Sequence, residues 1–111
     1  MNGKIAAGYI RGLQSEGIIA TIKHFVANDQ ETDRFAMSSD VSERALREVY
    51  LLPFQIAIRE AGPKAIMTAY NKVNGLHASE NVHLLQDILR KEWGFNGLVM
   101  SDWYQPFIFC N

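Results

Sequence analysis

Cysteine is nearly absent from this sequence, with Cys110 the single one among 111 residues. One thiol closes no internal disulfide and is too few for a zinc site built on cysteines, so the redox compartment stays open. Charge of one sign is missing as well. The 11 basic and 12 acidic residues leave a formal net charge of −1, which supplies no long-range field to attract nucleic acid or an anionic lipid surface. Every apolar stretch is interrupted by Lys, Glu, Arg or Gln well short of the ~20 residues a membrane helix needs. A helical span is therefore excluded. The opening Met1-Asn2-Gly3-Lys4-Ile5 lacks the charged-then-apolar layout of a secretory leader; in a piece of a longer protein that leaves localisation undetermined. Finally, no glycine-rich loop follows an apolar run, which weighs against a phosphate cradle.

What is present is the composition of a globular domain, 48% apolar and 21% charged. Ile5, Tyr9, Ile10 and Leu13 recur at helical spacing and predict a helix over 4–16 that stops at Gly17. The β-branched run from Ile18 to Val26 predicts a strand buried on both faces. A polar loop follows from Asn28 to Ser39, of the length that often carries function. Asp40-Val41-Ser42-Glu43 has the form of a capping box opening a helix with Leu46, Val49 and Tyr50 on one face, and Pro53 must kink that helix or start a new one. The helical pattern resumes through Phe54, Ile56 and Ile58 and ends at Gly62-Pro63. Ala65 to Tyr70 predicts a second strand and Asn71 to Ser79 a turn-rich loop containing Asn74-Gly75. Val82, Leu85, Ile88 and Leu89 predict a third helix closed by Arg90, Lys91 and Gly94, and Gly97 to Asp102 a third strand. Helix and strand alternate with no hairpin between successive strands, which predicts an α/β fold with a parallel sheet. Periodicity alone leaves an open doubly wound sheet and a slice of an eight-stranded barrel equally open.

In either architecture the carboxyl ends of the strands converge on the ligand site, and each strand here ends in reactive groups: Lys23-His24, Tyr70-Asn71 and Ser101-Asp102. Gathered in one crevice, they offer a carboxylate nucleophile or base, cationic and imidazole donors and a phenol, a set suited to a polyhydroxylated substrate. Each also has a structural role open to it: Asp102 as a helix cap, Lys23 and His24 as an ordinary strand end, Tyr70 as a core aromatic. Asp29, Glu31 and Asp33, with Arg34 beside them, lack the central glycine and terminal glutamate of a calcium-binding hand and fit a salt-bridged loop. His77 and His83 lack the spacing of four that places two ligands on one helical face. No metal and no cofactor is expected.

Four ordered segments carry a resemblance: Gly12-Leu13-Gln14-Ser15-Glu16-Gly17-Ile18, Lys23-His24-Phe25-Val26-Ala27-Asn28-Asp29-Gln30-Glu31, Met67-Thr68-Ala69-Tyr70-Asn71-Lys72-Val73-Asn74-Gly75 and Gly97-Leu98-Val99-Met100-Ser101-Asp102-Trp103. In order and spacing they resemble successive motifs of family 3 glycoside hydrolases of the β-glucosidase type. The resemblance covers residues 1–104 and implies part of an N-terminal (β/α)8 TIM-barrel domain, about three parallel strands alternating with helices. It implies hydrolysis of terminal β-D-glucosyl residues with retention, with Asp102 as the attacking carboxylate. It further implies that Lys23 and His24 hydrogen-bond the sugar hydroxyls, that Met67 and Tyr70 line the same subsite, and that Trp103 forms an aromatic wall. The acid/base glutamate of the family comes from a later domain, and an aspartate and an arginine that hold the far hydroxyls come from earlier segments. The chain alone is therefore expected to be inactive without the remainder of the barrel and a second domain.

A related branch that cleaves N-acetylglucosaminides carries Pro-Gly-His-Gly after its Lys-His-Phe motif, whereas Val26-Ala27-Asn28 stands here. That difference favours the β-glucosidase or β-xylosidase branch. Residues 105–111, Gln105-Pro106-Phe107-Ile108-Phe109-Cys110-Asn111, depart from the family pattern and are expected to reflect a truncated reading frame. The expected partner is a β-glucoside or oligosaccharide, with no nucleic acid and no membrane. The alternative from another class is a non-catalytic sugar-binding module that keeps the clamp and lacks turnover.

Overall fold

The structure, a computed structural model, describes residues 1–103; the atypical tail and Cys110 lie outside that range. Helix α1, Asn2–Ser15, buries Gly3, Ala7 and Ile10. It packs against α3, Leu52–Ala61. The line of contact runs through the small residues: a Cβ on Gly3 would stand 2.9 Å from both Ile56 Cβ and Pro53 O. Ile5 and Tyr9, expected to face inward, are instead exposed. The backbones approach too closely along the Gly3–Ala7 face for a larger side chain, and the two bulky residues turn outward. Gln14 ties the far end of the pair, donating to the Gly62 carbonyl at 3.2 Å and accepting from the Lys64 amide at 3.1 Å.

The first strand, β1, is shorter than the β-branched run suggests. It spans Thr21–Phe25, while Ile18 and Ile19 form an exposed connection. The expected burial on both faces does not hold either, because β1 is an edge strand among the described residues and its exposure alternates until Phe25. Central β3, Ala65–Thr68, is buried throughout. It pairs in parallel with β1 on one side and with β6, Leu98–Met100, on the other. The peptide bonds Lys23–His24 and Phe25–Val26 are cis, and the β1/β3 register shifts between Ile22 and Phe25.

A second, small sheet lies within the loops. Strand β2, Ser38–Ser39, runs parallel to β4, Lys72–Val73, which forms a hairpin with β5, Leu76–His77. The expectation of no hairpin holds for the main sheet but not here. Asn74 and Gly75 both take positive φ, 51° and 87°, the left-handed conformation a two-residue hairpin turn demands.

Helix α2, Glu43–Ala45, is capped by Ser42 Oγ, which accepts from the Ala45 amide at 3.3 Å. The capping box centred on Asp40 is thus corrected: Asp40 accepts from Ser38 Oγ at 2.5 Å, and Glu43 turns sideways to Arg47 and His83. The helix widens to π geometry over Leu46–Leu51 before α3 begins. That widening makes room for Pro53, whose ring would clash with the Val49 carbonyl in a regular helix. A π helix, His83–Glu92, buries Leu84, Leu85, Ile88 and Leu89. Val82 is exposed and Leu84 takes its expected place in the core. The main core lies between these helices and the sheet around Phe25, whose ring meets Phe54 edge-on at 5.2 Å and Trp93 at 6.2 Å.

Entry into β6 is held from outside. The Arg90 guanidinium donates to the carbonyls of Phe95 and Gly97, both at 2.8 Å. Gly97 passes so close to Lys64 that a Cβ would sit 2.4 Å from its carbonyl oxygen.

Candidate active site

The parallel register decides what meets at the carboxyl edge. Phe25 stands level with Thr68, and Met67 with Met100. His24, Tyr70 and Asp102 therefore all lie at the same rim of the sheet, one on each strand or just beyond its end.

The closest pairing there joins the two outer strands. His24 Nε2 lies 3.4 Å from Asp102 Oδ2, with the imidazole 36% and the carboxylate 13% exposed. The other carboxylate oxygen, Oδ1, accepts from the Trp103 amide at 2.8 Å. Asp102 is thus held by a local backbone donor on one oxygen and presents the second to the imidazole. The alternative of Asp102 as cap of a following helix concerns residues outside those described. Trp103 is 64% exposed.

Met67 and Tyr70 are both buried. The Tyr70 ring is covered from the β1 loop: Phe35 meets it at 4.7 Å, and the Arg34 guanidinium lies 4.6 Å over it. Arg34 is also paired with Glu31 at 2.5 Å, in line with the salt-bridged loop expected there. Lys23 shares a cleft with His24. With Asn28 and Asp29 the two line a space of about 490 Å³ along the β1 edge, walled by Tyr50 and Phe54, which includes neither Met67, Tyr70 nor Asp102. Among the described residues, the structure therefore brings His24 directly to Asp102 and sets Lys23 beside His24 in the edge cleft.

Asn71, expected in the crevice, does something else. It is completely buried, and its amide nitrogen faces the carbonyls of Val26 and Ala27 at 3.2 Å, Lys72 O at 3.0 Å and Ser39 Oγ at 3.4 Å. Only a donor suits that nest of acceptors, so Asn71 binds the β1 loop to the end of β3. Among the described residues, Asn28 Oδ1, Thr68 Oγ1 and Asn71 Oδ1, on or just after the strands, are buried without a hydrogen-bond partner. The two histidines outside the motif serve loops and helices: His77 Nδ1 meets Tyr70 O at 3.2 Å, and His83 faces Glu43 at 3.0 Å.

The contacts of Arg34 and Phe35 with Tyr70 were not legible in the sequence. The signal was a cation next to an aromatic in a loop of functional length, which is too common to single out.

Comparison with known proteins bears on the family and the fold. The family model described as the glycosyl hydrolase family 3 N-terminal domain matches residues 1–106. Beta-glucosidase B of Emericella nidulans is 63% identical over 101 residues, covering 91% of this chain and 12% of the relative. Beta-glucosidase 3B of Thermotoga neapolitana, solved in complex with glucose, superposes with a TM-score of 0.91 at 55% identity, covering 92% of this chain and 14% of that one. The beta-glucosidase of Kluyveromyces marxianus in complex with glucose gives 0.91 at 57% identity over 92% of this chain and 12% of its own. The chain thus spans roughly an eighth of the length of the relatives it matches. The open choice of architecture closes with these superpositions: the parallel sheet and its helices are part of a (β/α)8 barrel.

Proposed function

This chain belongs to the glycosyl hydrolase family 3 N-terminal domain family, and from that premise we propose that it forms part of a retaining β-glucosidase in which Asp102 is the nucleophile. The observation that carries the proposal is the contact of His24 with Asp102 at the carboxyl rim of the sheet. The exposed Trp103, next to Asp102 in sequence, adds support for the reading.

In the proposed reaction, Asp102 Oδ2 attacks the anomeric carbon as the bond to the leaving oxygen breaks, and a second carboxyl, carried outside this chain, protonates that oxygen. Water then attacks the same carbon, its proton passes to the second carboxylate, and Asp102 is released with the sugar in its original configuration. The Trp103 amide holds the non-attacking oxygen, fixing which lone pairs face the sugar. His24 serves as donor to a sugar hydroxyl next to the nucleophile, and Lys23 as a second donor once the edge cleft is closed by the rest of the barrel. Met67 and Trp103 supply apolar surface for the C–H faces of the pyranose, and Tyr70 lines the same subsite through its hydroxyl.

In the complete protein, Asp102→Ala is expected to lower kcat on an aryl β-glucoside by roughly a thousandfold or more, while binding of glucose persists. Proton NMR of the first-formed product should show the β anomer. An α anomer would overturn retention, and full activity in the Asp102 variant would remove the nucleophile assignment. Saturable glucose binding with no turnover in the unsubstituted protein would support a sugar-binding module instead.

A further inference from the structure

We propose that Arg34, together with Phe35, is a positioning residue that acts on the substrate through Tyr70; the inference rests on the glycosidase proposal above and deepens it. Three observations converge. Tyr70 follows β3 at the rim shared with His24 and Asp102. Its ring is sandwiched between the body of the protein and two neighbouring side chains of the β1 loop, the Arg34 guanidinium at 4.6 Å and the Phe35 ring at 4.7 Å with an interplanar angle of 62°. The tip bearing those two side chains is itself braced: Asp33 takes a positive φ of 51°, its carbonyl accepts from the amides of Ala36 and Met37 at 2.8 Å, and Glu31 holds Arg34 by an ion pair.

The chemistry follows from ring geometry. A buried phenol presents its hydroxyl in the one direction its ring plane allows, and that plane is set by whatever packs on the faces. A guanidinium over one face and an aromatic edge beside it favour a single ring orientation through the quadrupole of the ring. Asn71 prevents the Tyr70 backbone from shifting, because it is tied to Val26, Ala27 and Ser39. Backbone anchor below and cation above leave the phenol one direction in which to point. The Glu31 contact keeps the arginine from swinging to solvent, where its side chain is already 36% exposed. The loop thereby reaches the sugar without touching it.

The test is a double-mutant cycle in the complete protein, using an aryl β-glucoside. Arg34→Ala is expected to lower kcat/KM about tenfold, mostly through KM, and Arg34→Lys, which keeps the cation over the ring, to recover most of that loss. In a Tyr70→Phe background, where the hydroxyl is gone, Arg34→Ala should have little further effect. Melting temperatures of the variants separate this from general loosening of the loop, since a purely structural residue would show additive losses that track stability. Additive losses, or unchanged kcat/KM in Arg34→Ala, would overturn the positioning role and leave the glycosidase proposal standing. An unsubstituted protein that hydrolyses no β-glycoside would overturn both.

Discussion

Asn71 is where a single side chain is asked to do most. Its NH₂ group faces four oxygen acceptors in a site without solvent, and leaving buried acceptors unpaired costs about 1–3 kcal/mol. Asn71→Ala is therefore expected to destabilise the protein by about 2 kcal/mol. Asn71→Asp should be worse than alanine, because a carboxylate would confront the Val26 and Ala27 carbonyls; urea unfolding measures both, and an aspartate variant as stable as the parent would refute the donor role. The same residue shows how far single positions could be read. His24 and Asp102 were legible as candidates because they end parallel strands within motifs that resemble those of family 3 glycoside hydrolases; strand-end position alone left a helix cap and an ordinary strand end open. Asn71 was legible as important but not as inward-facing, since a strand end gives no hint of which carbonyls will lie behind it. Arg34 depends on a contact with Tyr70 made far along the chain, and no local pattern encodes that.

Helices and the three main strands followed from hydrophobic spacing, whereas the faces they present did not always do so. The α1 face was misassigned because backbone approach at Gly3 outweighed the burial of Ile5 and Tyr9. The strands β2, β4 and β5 are two residues each, too short for any period to register, and only the Asn74-Gly75 turn betrayed the hairpin. Between elements, a charged network clasps the first turns of the α2 helix to the end of the π helix: Arg47 reaches Glu92 at 2.7 Å and also pairs with Glu43, which faces His83. The Arg47 hydrogen bond is the largest influence holding the Glu43 and Glu92 carboxyls below their ordinary value of 4.5. Carboxyls depressed by folding contribute stability that is fully present above about pH 4.5 and is lost as the pH falls through their lower folded values. The melting temperature is thus expected to fall more steeply with acid in the parent than in Arg47→Ala, and identical slopes below pH 4.5 in scanning calorimetry would count against the clasp. Arg47, Glu43 and Glu92 keep 38–50% of their side-chain surface in solvent, so the effect should shrink in high salt.

At the scale of the molecule, the main sheet has two strands with one neighbour each, β1 and β6, among the described residues. Ile5, Tyr9, Ile18, Ile19 and Leu98 add exposed apolar surface. Barrel closure covers such edges, and a slice without it presents unpaired backbone groups to other chains. Expressed alone, the described segment is expected to self-associate and to release no sugar from aryl β-glucosides; sedimentation velocity and a thermal melt test this, and a monomer with a sharp cooperative melt would contradict it. The hold of Arg90 and Gly97 on the entry to β6 reaches beyond stability. Because side chains alternate along a strand, sliding β6 by one residue against β3 would swing Asp102 away from His24 and aim it at the wrong side of the sheet. The carboxylate is thus indexed from the outer wall of the barrel, like a key cut from its shoulder, and the proposed chemistry at the mouth would inherit its alignment from a cation at the opposite end of the strand.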